Sequence, residues 1–244
     1  MAMRLITTWL AILVLGAGCA APPAPAPPPA PPPAAAEPQQ TASWYRNENA
    51  RARGQKVYQV DAGQSLITIV VRRGGAFARF GHDHVIASRT LSGYAAPDAN
   101  RAHFQFRLDE MSVDEAALRV QAGLDTQPSA EDIEGTRANM LKRVLDAERY
   151  PMVYLAAQRL PAAKDAPSQL RLTITLHGVA RSIDVPVRYE RSAASLKASG
   201  ELTLLQSDFG IKPMSVMGGA LTVQDRMELR FAIVALALPA PAGR

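Results

Sequence analysis

Apolar and polar residues alternate along most of the chain from about residue 57 onward. In the clearest run, residues 170–177, a leucine or isoleucine occupies every second position. This period of two predicts a strand with one apolar face. The alternation stops at Gly178 and resumes at Ile183, so we predict a hairpin across residues 178–182.

The same criterion predicts nine candidate strands, of which the first two are compatible with one continuous strand. They comprise residues 57–61, 66–73, 85–94, 103–113, 152–160, 170–177, 183–190, 196–206 and 227–238. Consecutive strands with short turns favour an antiparallel sheet over βαβ units. About eight such strands is the size at which a closed barrel holds one small ligand. A β-sandwich fits the same pattern.

One segment interrupts the strands, between Pro128 and Pro151. Ser129, with Asp132 three residues later, is typical of a capping box at a helix N-terminus. The apolar residues that follow recur at helical spacing, and we predict one amphipathic helix that covers an edge or an open end of the sheet. Its apolar stripe consists of Ile133, Met140, Leu141, Val144 and Leu145. The predicted fold class is all-β with one amphipathic helix.

The amino terminus predicts export. Arg4 precedes an apolar run at residues 10–15, and small residues follow directly before Cys19, the only cysteine of the chain. Residues 1–18 are therefore a predicted signal peptide, too short to span a membrane. Residues 15–19 resemble a bacterial lipobox, although Gly16 stands where a large aliphatic residue is usual. The alternative is an ordinary secretory signal with an incidental cysteine.

The lipobox resemblance implies a lipidated Cys19, hence a membrane-anchored periplasmic protein. Ala20 in place of an aspartate implies the outer membrane. Residues 19–56 form a Pro/Ala-rich linker, in which ten of the nineteen prolines lie between Pro22 and Pro38. A proline-rich spacer of about twenty residues reaches roughly 60 Å. One domain, residues 57–238, follows, and residues 239–244 are a tail.

The formal net charge of +5 at first suggests a nucleic-acid partner. Most of the excess lies outside residues 57–238, in Arg4, Arg244 and the basic residues of segment 46–56. The domain itself is close to neutral, so we expect no nucleic-acid binding. The chain also lacks the short motifs of serine hydrolases, P-loop proteins and dinucleotide-binding folds.

His82 and His84 are the candidate polar site. On a strand they would face the same side, a spacing that suits zinc or copper. The pair would alternatively contact a lipid head group at the barrel mouth, or be a solvated or structurally bonded pair. A third metal ligand would have to come from His103 or His177, because Asp83 faces away. His177 itself is interpreted as a hairpin-stabilising residue that is hydrogen-bonded to the backbone.

Four segments together resemble the YceI-like family over about residues 57–236. They are Tyr58-Gln-Val-Asp61, Tyr150-Pro151, Leu176-His-Gly-Val-Ala-Arg181 and Ser207-Asp-Phe-Gly-Ile211. The resemblance implies a lipocalin-like barrel whose apolar interior binds a long isoprenoid or related lipid, with no catalytic machinery and no other cofactor. Phe80-Gly-His-Asp-His84 departs from the usual family pattern.

The inward-facing apolar residues of the predicted strands are the candidate lipid-binding residues. They are Ile67, Ile69, Val71, Phe104, Phe106, Leu172, Ile174, Leu176, Val185, Val187, Leu229, Phe231 and Ile233. A filled core would use the same residues. The open alternatives are a metal-binding protein or metal-dependent enzyme that uses His82 and His84, and a structural envelope protein with a solid barrel. The sequence leaves open whether the protein is a monomer or a homodimer.

Overall fold

The computed structural model describes residues 54–161 and 167–239. The predicted signal peptide, Cys19 and nearly all of the linker lie outside the described residues. Within the described part, no helix has the length and apolar character needed to cross a membrane.

Twelve strands and two α-helices are present in the described residues. The strands are β1 (Tyr58–Val60), β2 (Leu66–Gly74), β3 (His84–Ser88), β4 (Ser92–Ala96), β5 (Arg101–Arg107), β6 (Ser112–Val113), β7 (Met152–Arg159), β8 (Gln169–Leu176), β9 (Val179–Arg191), β10 (Ser195–Leu205), β11 (Ser215–Val216) and β12 (Leu221–Ala237). The helices are α1 (Ala116–Gln121) and α2 (Ala130–Asn139), and a π-helical turn, Met140–Val144, continues α2.

The sheet closes into an antiparallel barrel of eight strands. The pairing runs β1-β4-β5-β7-β8-β9-β10-β12, and β12 pairs again with β1. Closure leaves these strands without a free edge. This confirms the predicted antiparallel barrel with one long helix, and it excludes the β-sandwich.

The first two candidate strands share one edge of β12. Tyr58 of β1 lies opposite Ala237, and Leu66 of β2 lies opposite Ala232. A short 3₁₀ turn at Ala62–Gln64 separates them, and Asp61 accepts a hydrogen bond from the Gln64 backbone at 3.3 Å. The two strands therefore act as one interrupted strand along β12.

Two other candidate strands were predicted too long. Residues 85–94 form β3 and β4, because β3 pairs with β2 whereas β4 pairs with β1 across the interruption. Residues 103–113 likewise divide into β5 and β6, since β6 leaves the barrel wall to pair with β3. The short helix α1 was not predicted; its Leu118 packs against the outer face of β3.

The predicted hairpin turn is also misplaced. The turn consists of His177 and Gly178, with φ of 53° and 74°, and β9 begins at Val179. Two consecutive residues with positive φ form the tight turn that suits the twist of a β-hairpin. The start of β9 at Val179 was not predicted, because residues 179–182 alternate only weakly.

Helix α2 begins as predicted. Ser129 Oγ accepts from the Asp132 backbone N–H at 3.1 Å, and the Asp132 carboxylate accepts from the Ser129 backbone N–H at 3.1 Å. All five residues of the predicted apolar stripe pack into the main hydrophobic core. The helix therefore covers one end of the barrel.

Candidate functional site

The barrel encloses a cavity of about 310 Å³, which is within the range of small-molecule sites, roughly 300–1,000 Å³. All thirteen candidate lipid-binding residues line it. The alternation of side chains along each strand accounts for this, because every second residue points inward. The barrel is thus hollow, unlike the solid barrel of the structural alternative.

Strands β7 and β10 contribute lining residues that the sequence analysis did not single out. Val153 and Leu155 come from β7, and Leu202 and Leu204 come from β10. Their signal was present, because both segments alternate and were predicted as strands. Met140, which the sequence analysis placed in the apolar stripe of the helix, also lines the cavity from the turn after α2.

The two ends of the cavity differ. At one end, Met140, Val144 and Leu145 line the cavity from beneath α2, and we call this the covered end. At the opposite end the lining includes Asn100 and Arg159, which are exposed to solvent. We call this the open end. The cavity is therefore a tunnel that is closed by a helix on one side.

His84 is a polar residue in this apolar wall, near the covered end. It lies opposite Val71 in the β2–β3 pairing, and both residues line the cavity. Its Nδ1 lies 2.6 Å from Asp114 Oδ2. The side chain of Asp114 is completely buried, and its backbone has a positive φ of 56°. The imidazole is thus held at Nδ1 by a buried carboxylate.

Asp114 is itself tied into a buried network. Its Oδ1 accepts a hydrogen bond from the Val85 backbone N–H at 3.0 Å and one from Arg119 Nη1 at 2.5 Å. Arg119 also donates to the Asp83 carbonyl at 2.8 Å and to Thr126 Oγ1 at 3.0 Å. Every charged group here has a partner, as buried charges require.

The environment keeps Asp114 ionised. Burial by itself would raise the pKa of this carboxyl, since it disfavours the charged form. The hydrogen bonds from His84, Val85 and Arg119, together with the charge of His84, outweigh burial and hold the pKa of Asp114 below its usual 3.8. The carboxylate is therefore the hydrogen-bond acceptor in its contact with His84.

His82 does not line the cavity. Its ring centroid lies 6.2 Å from that of His84, and its Nδ1 is buried without a hydrogen-bond partner in the described structure. Asp83, between the two histidines, turns away as expected: its Oδ1 accepts from the Arg73 backbone N–H at 2.9 Å. Helix α2 starts close to both histidines. The pKa of Asp132, in the first turn of α2, lies below its usual 3.8, lowered first by hydrogen bonds from Ser129 and then by the charges of His82 and His84.

Within the described residues, a metal site at His82 and His84 would have no third ligand. Among residues 54–161 and 167–239, no group of three or more His, Cys, Asp or Glu is arranged to hold a metal ion. His103 lies in β5 opposite Tyr94. His177 lies in the β8–β9 turn with its ring 4.7 Å from that of Tyr150. This ring contact, rather than a backbone hydrogen bond, is the interaction that the structure gives for the His177 side chain.

The motif segments have structural roles. A Cβ on Gly178 would lie 2.8 Å from Tyr150 Cε1, so the tight turn and the Tyr150-Pro151 step fit against each other. Phe209 is fully buried, and Ser207 Oγ donates to Asp225 at 2.5 Å. Tyr58 is fully buried as well. Apart from Leu176, which lines the cavity, these segments therefore maintain the barrel.

Comparisons with known proteins agree with this architecture. A family model described as YceI-like domain matches residues 58–235. A solved polyisoprenoid binding domain from Saccharophagus degradans is 16% identical, with a TM-score of 0.53, over 74% of this chain and 98% of that one. BcnA of Burkholderia cenocepacia is 16% identical, with a TM-score of 0.51, over 72% and 98%. No curated protein is similar enough to count as a match.

Proposed function

Because the chain belongs to the YceI-like family, we propose that it binds a long-chain lipid of isoprenoid type inside its barrel, as a binding protein without turnover. The observation that carries this proposal is the apolar tunnel between Ile67, Phe104, Leu172 and Ile233. A hydrocarbon chain gains roughly 25 cal/mol for each Å² of apolar surface that it buries there, less the cost of ordering it.

The geometry of the tunnel suits an elongated ligand. It runs from the exposed residues of the open end to the residues beneath α2. Seven of the eight barrel strands, all except β1, contribute side chains to its wall, together with β2 and β3. The Saccharophagus degradans domain of similar fold is described as polyisoprenoid binding, which supports a ligand of the same class. Since a fold alone does not define a ligand, direct binding is the test.

The amino terminus leads to the second part of the proposal, which concerns the location of the protein. A signal peptide at residues 1–18 and lipidation of Cys19 would place the domain in the periplasm, anchored to the outer membrane through the linker of residues 19–56. A lipid-binding domain on such a tether would take up its ligand close to a membrane. Homodimerisation is not required for this activity, because one chain forms the whole tunnel.

The experiment is a binding measurement on the purified full chain. Native mass spectrometry before and after organic extraction detects a co-purified lipid, and displacement of a fluorescent apolar probe by geranylgeraniol measures affinity. We expect an extractable adduct of isoprenoid or acyl type, and saturable displacement. A chain that carries no lipid and takes up no geranylgeraniol would overturn the proposal.

A matched pair of variants tests whether the lipid binds inside the tunnel. Leu172→Trp fills part of the tunnel, because Leu172 lines it, and we expect geranylgeraniol to bind at least tenfold more weakly. Arg188→Trp adds the same ring to an exposed residue of β9, and should bind like the parent chain. Equal binding by the two variants would mean that the lipid sits elsewhere.

A further inference from the structure

His84 differs from the cavity wall around it. It shares an inward face of β3 with Ile86, opposite Val71 and Ile69 of β2, and its side chain is 12% exposed. The neighbouring wall positions are apolar and form no hydrogen bonds through their side chains. A ligand that reaches this part of the wall therefore meets an imidazole among apolar side chains of β2 and β3.

The contact with Asp114 determines which ring nitrogen faces the ligand. The ionised carboxylate accepts hydrogen bonds only, so Nδ1 of His84 carries the proton and donates to Asp114 Oδ2 at 2.6 Å. In the neutral ring, Nε2 then carries a lone pair. No other residue of the described structure hydrogen-bonds to His84. The nitrogen that remains available is thus Nε2, on a side chain that lines the cavity.

Two successive layers of hydrogen bonds stand behind the His84 side chain. Asp114 is held by the Val85 backbone N–H and by Arg119, and Arg119 is held in turn by the Asp83 carbonyl. A positioned second layer of hydrogen bonds fixes both the orientation and the tautomer of an imidazole. Thr136 and Asn139 of α2 add two further polar side chains to the lining at the covered end.

We propose that His84 Nε2 forms a polar subsite at the covered end of the tunnel, and that the bound lipid ends in a hydroxyl group that hydrogen-bonds to it. A hydroxyl donates to the lone pair of the neutral ring and accepts from the protonated ring, so it is satisfied in both states. A terminal ether or a bare hydrocarbon cannot donate. This inference rests on the proposed lipid binding and names the chemistry of the lipid terminus.

The test compares three probes of the same chain length on the purified full chain. Geranylgeraniol carries the hydroxyl, its methyl ether lacks only the donor, and the parent C20 hydrocarbon lacks the oxygen. One buried hydrogen bond should make the alcohol bind roughly 5- to 10-fold more tightly than the ether. Equal affinity of the native protein for alcohol and ether overturns the subsite, whereas failure of all three probes to bind overturns the lipid-binding function as well.

His84→Asn is the decisive variant. The Asn amide stands where Nδ1 stood and keeps a donor for Asp114, but nothing replaces Nε2. We expect its preference for the alcohol over the ether to fall to about one. A purely structural role for His84 predicts the preference of the native protein instead. His82→Asn is the control, since His82 does not line the tunnel, and it should keep the preference.

If His84→Asn does not fold, His84→Gln supplies a second test. Gln places its amide near the position of Nε2 and no longer reaches Asp114 as the imidazole does. This variant should keep part of the preference for the alcohol. Loss of the preference for the alcohol in a folded His84→Gln variant would overturn the proposal.

Discussion

Asp114 and Arg119 form an ion pair whose side chains are 0% and 2% exposed, with Arg119 Nη1 2.5 Å from Asp114 Oδ1. The pair joins helix α1, on the outside of the barrel, to the imidazole of His84 on the inside. An ion pair in such a position is satisfied only when both partners and their hydrogen bonds are present. Folding of α1 and the shape of the covered end are thereby linked.

Removal of Arg119 should therefore be strongly destabilising. Arg119→Leu removes the positively charged partner that Arg119 provides to the buried Asp114 carboxylate, and it removes the Arg119 donor from the Asp83 carbonyl. We expect the free energy of unfolding, measured by urea denaturation, to fall by about 3 kcal/mol or more. The exposed pair Arg89–Glu115, 2.9 Å apart, is the control, and Arg89→Leu should cost at most about 1 kcal/mol. Similar losses in the two variants would contradict the role of burial.

The barrel and its inward residues were predictable because a half-buried strand alternates visibly in sequence. Each of the thirteen predicted inward residues lies on the cavity wall, and the Ser129–Asp132 cap marks the start of α2. Both features depend on neighbours within a few residues. Local pattern is enough in such cases.

The His84–Asp114 contact could not be predicted in this way. The two residues are 30 positions apart, and the β3–β6 pairing of Ile86 with Val113 brings them together. Alternation had merged each of these strands with a neighbour, β3 with β4 and β6 with β5. A contact that depends on strand register and on a residue with positive φ leaves no local signal in the sequence.

The capping box of α2 should contribute measurably to stability. Ser129→Ala removes the acceptor for the Asp132 backbone N–H, and we expect the free energy of unfolding to fall by about 1 kcal/mol. Ser182→Ala removes an exposed hydroxyl that bonds only with Thr173 and should change it by less than about 0.5 kcal/mol. If Ser182→Ala lowered the free energy of unfolding as much as Ser129→Ala does, the capping box would not be the source of the stabilisation.

Two glycines should respond to alanine in opposite directions. Gly93 has a φ of 146°, and a Cβ there would meet the His103 carbonyl and lie 2.7 Å from Phe104 Cα. Gly93→Ala should lower the free energy of unfolding by more than about 2 kcal/mol. Gly135 lies in α2 with nothing within 4 Å of an added Cβ, so Gly135→Ala should raise it by up to about 1 kcal/mol. Thermal unfolding of the two variants measures both changes.

The proposed anchor depends on a single residue. Cys19→Ala should abolish incorporation of labelled palmitate and release the protein from the membrane fraction, since the chain has no other cysteine. Ala20→Asp is the matched variant: it should keep the label but move the protein from the outer to the inner membrane. Palmitate label that persists in Cys19→Ala would reject lipidation at this position.

Because of His103, the protein should become less stable as the pH falls. Burial, and then the charge of Arg101, lower the pKa of His103 below its usual 6.5, so the unfolded chain takes up this proton more readily than the folded one. The contribution of His103 to stability is therefore complete above pH 6.5 and is lost as the pH falls from 6.5 through the folded-state pKa. Urea denaturation at pH 7.5 and pH 5 should show a larger loss of stability for the native chain than for His103→Gln. The other titrating groups are common to both proteins and cancel in that comparison, so equal losses would mean that His103 is protonated as readily in the fold as in the unfolded chain.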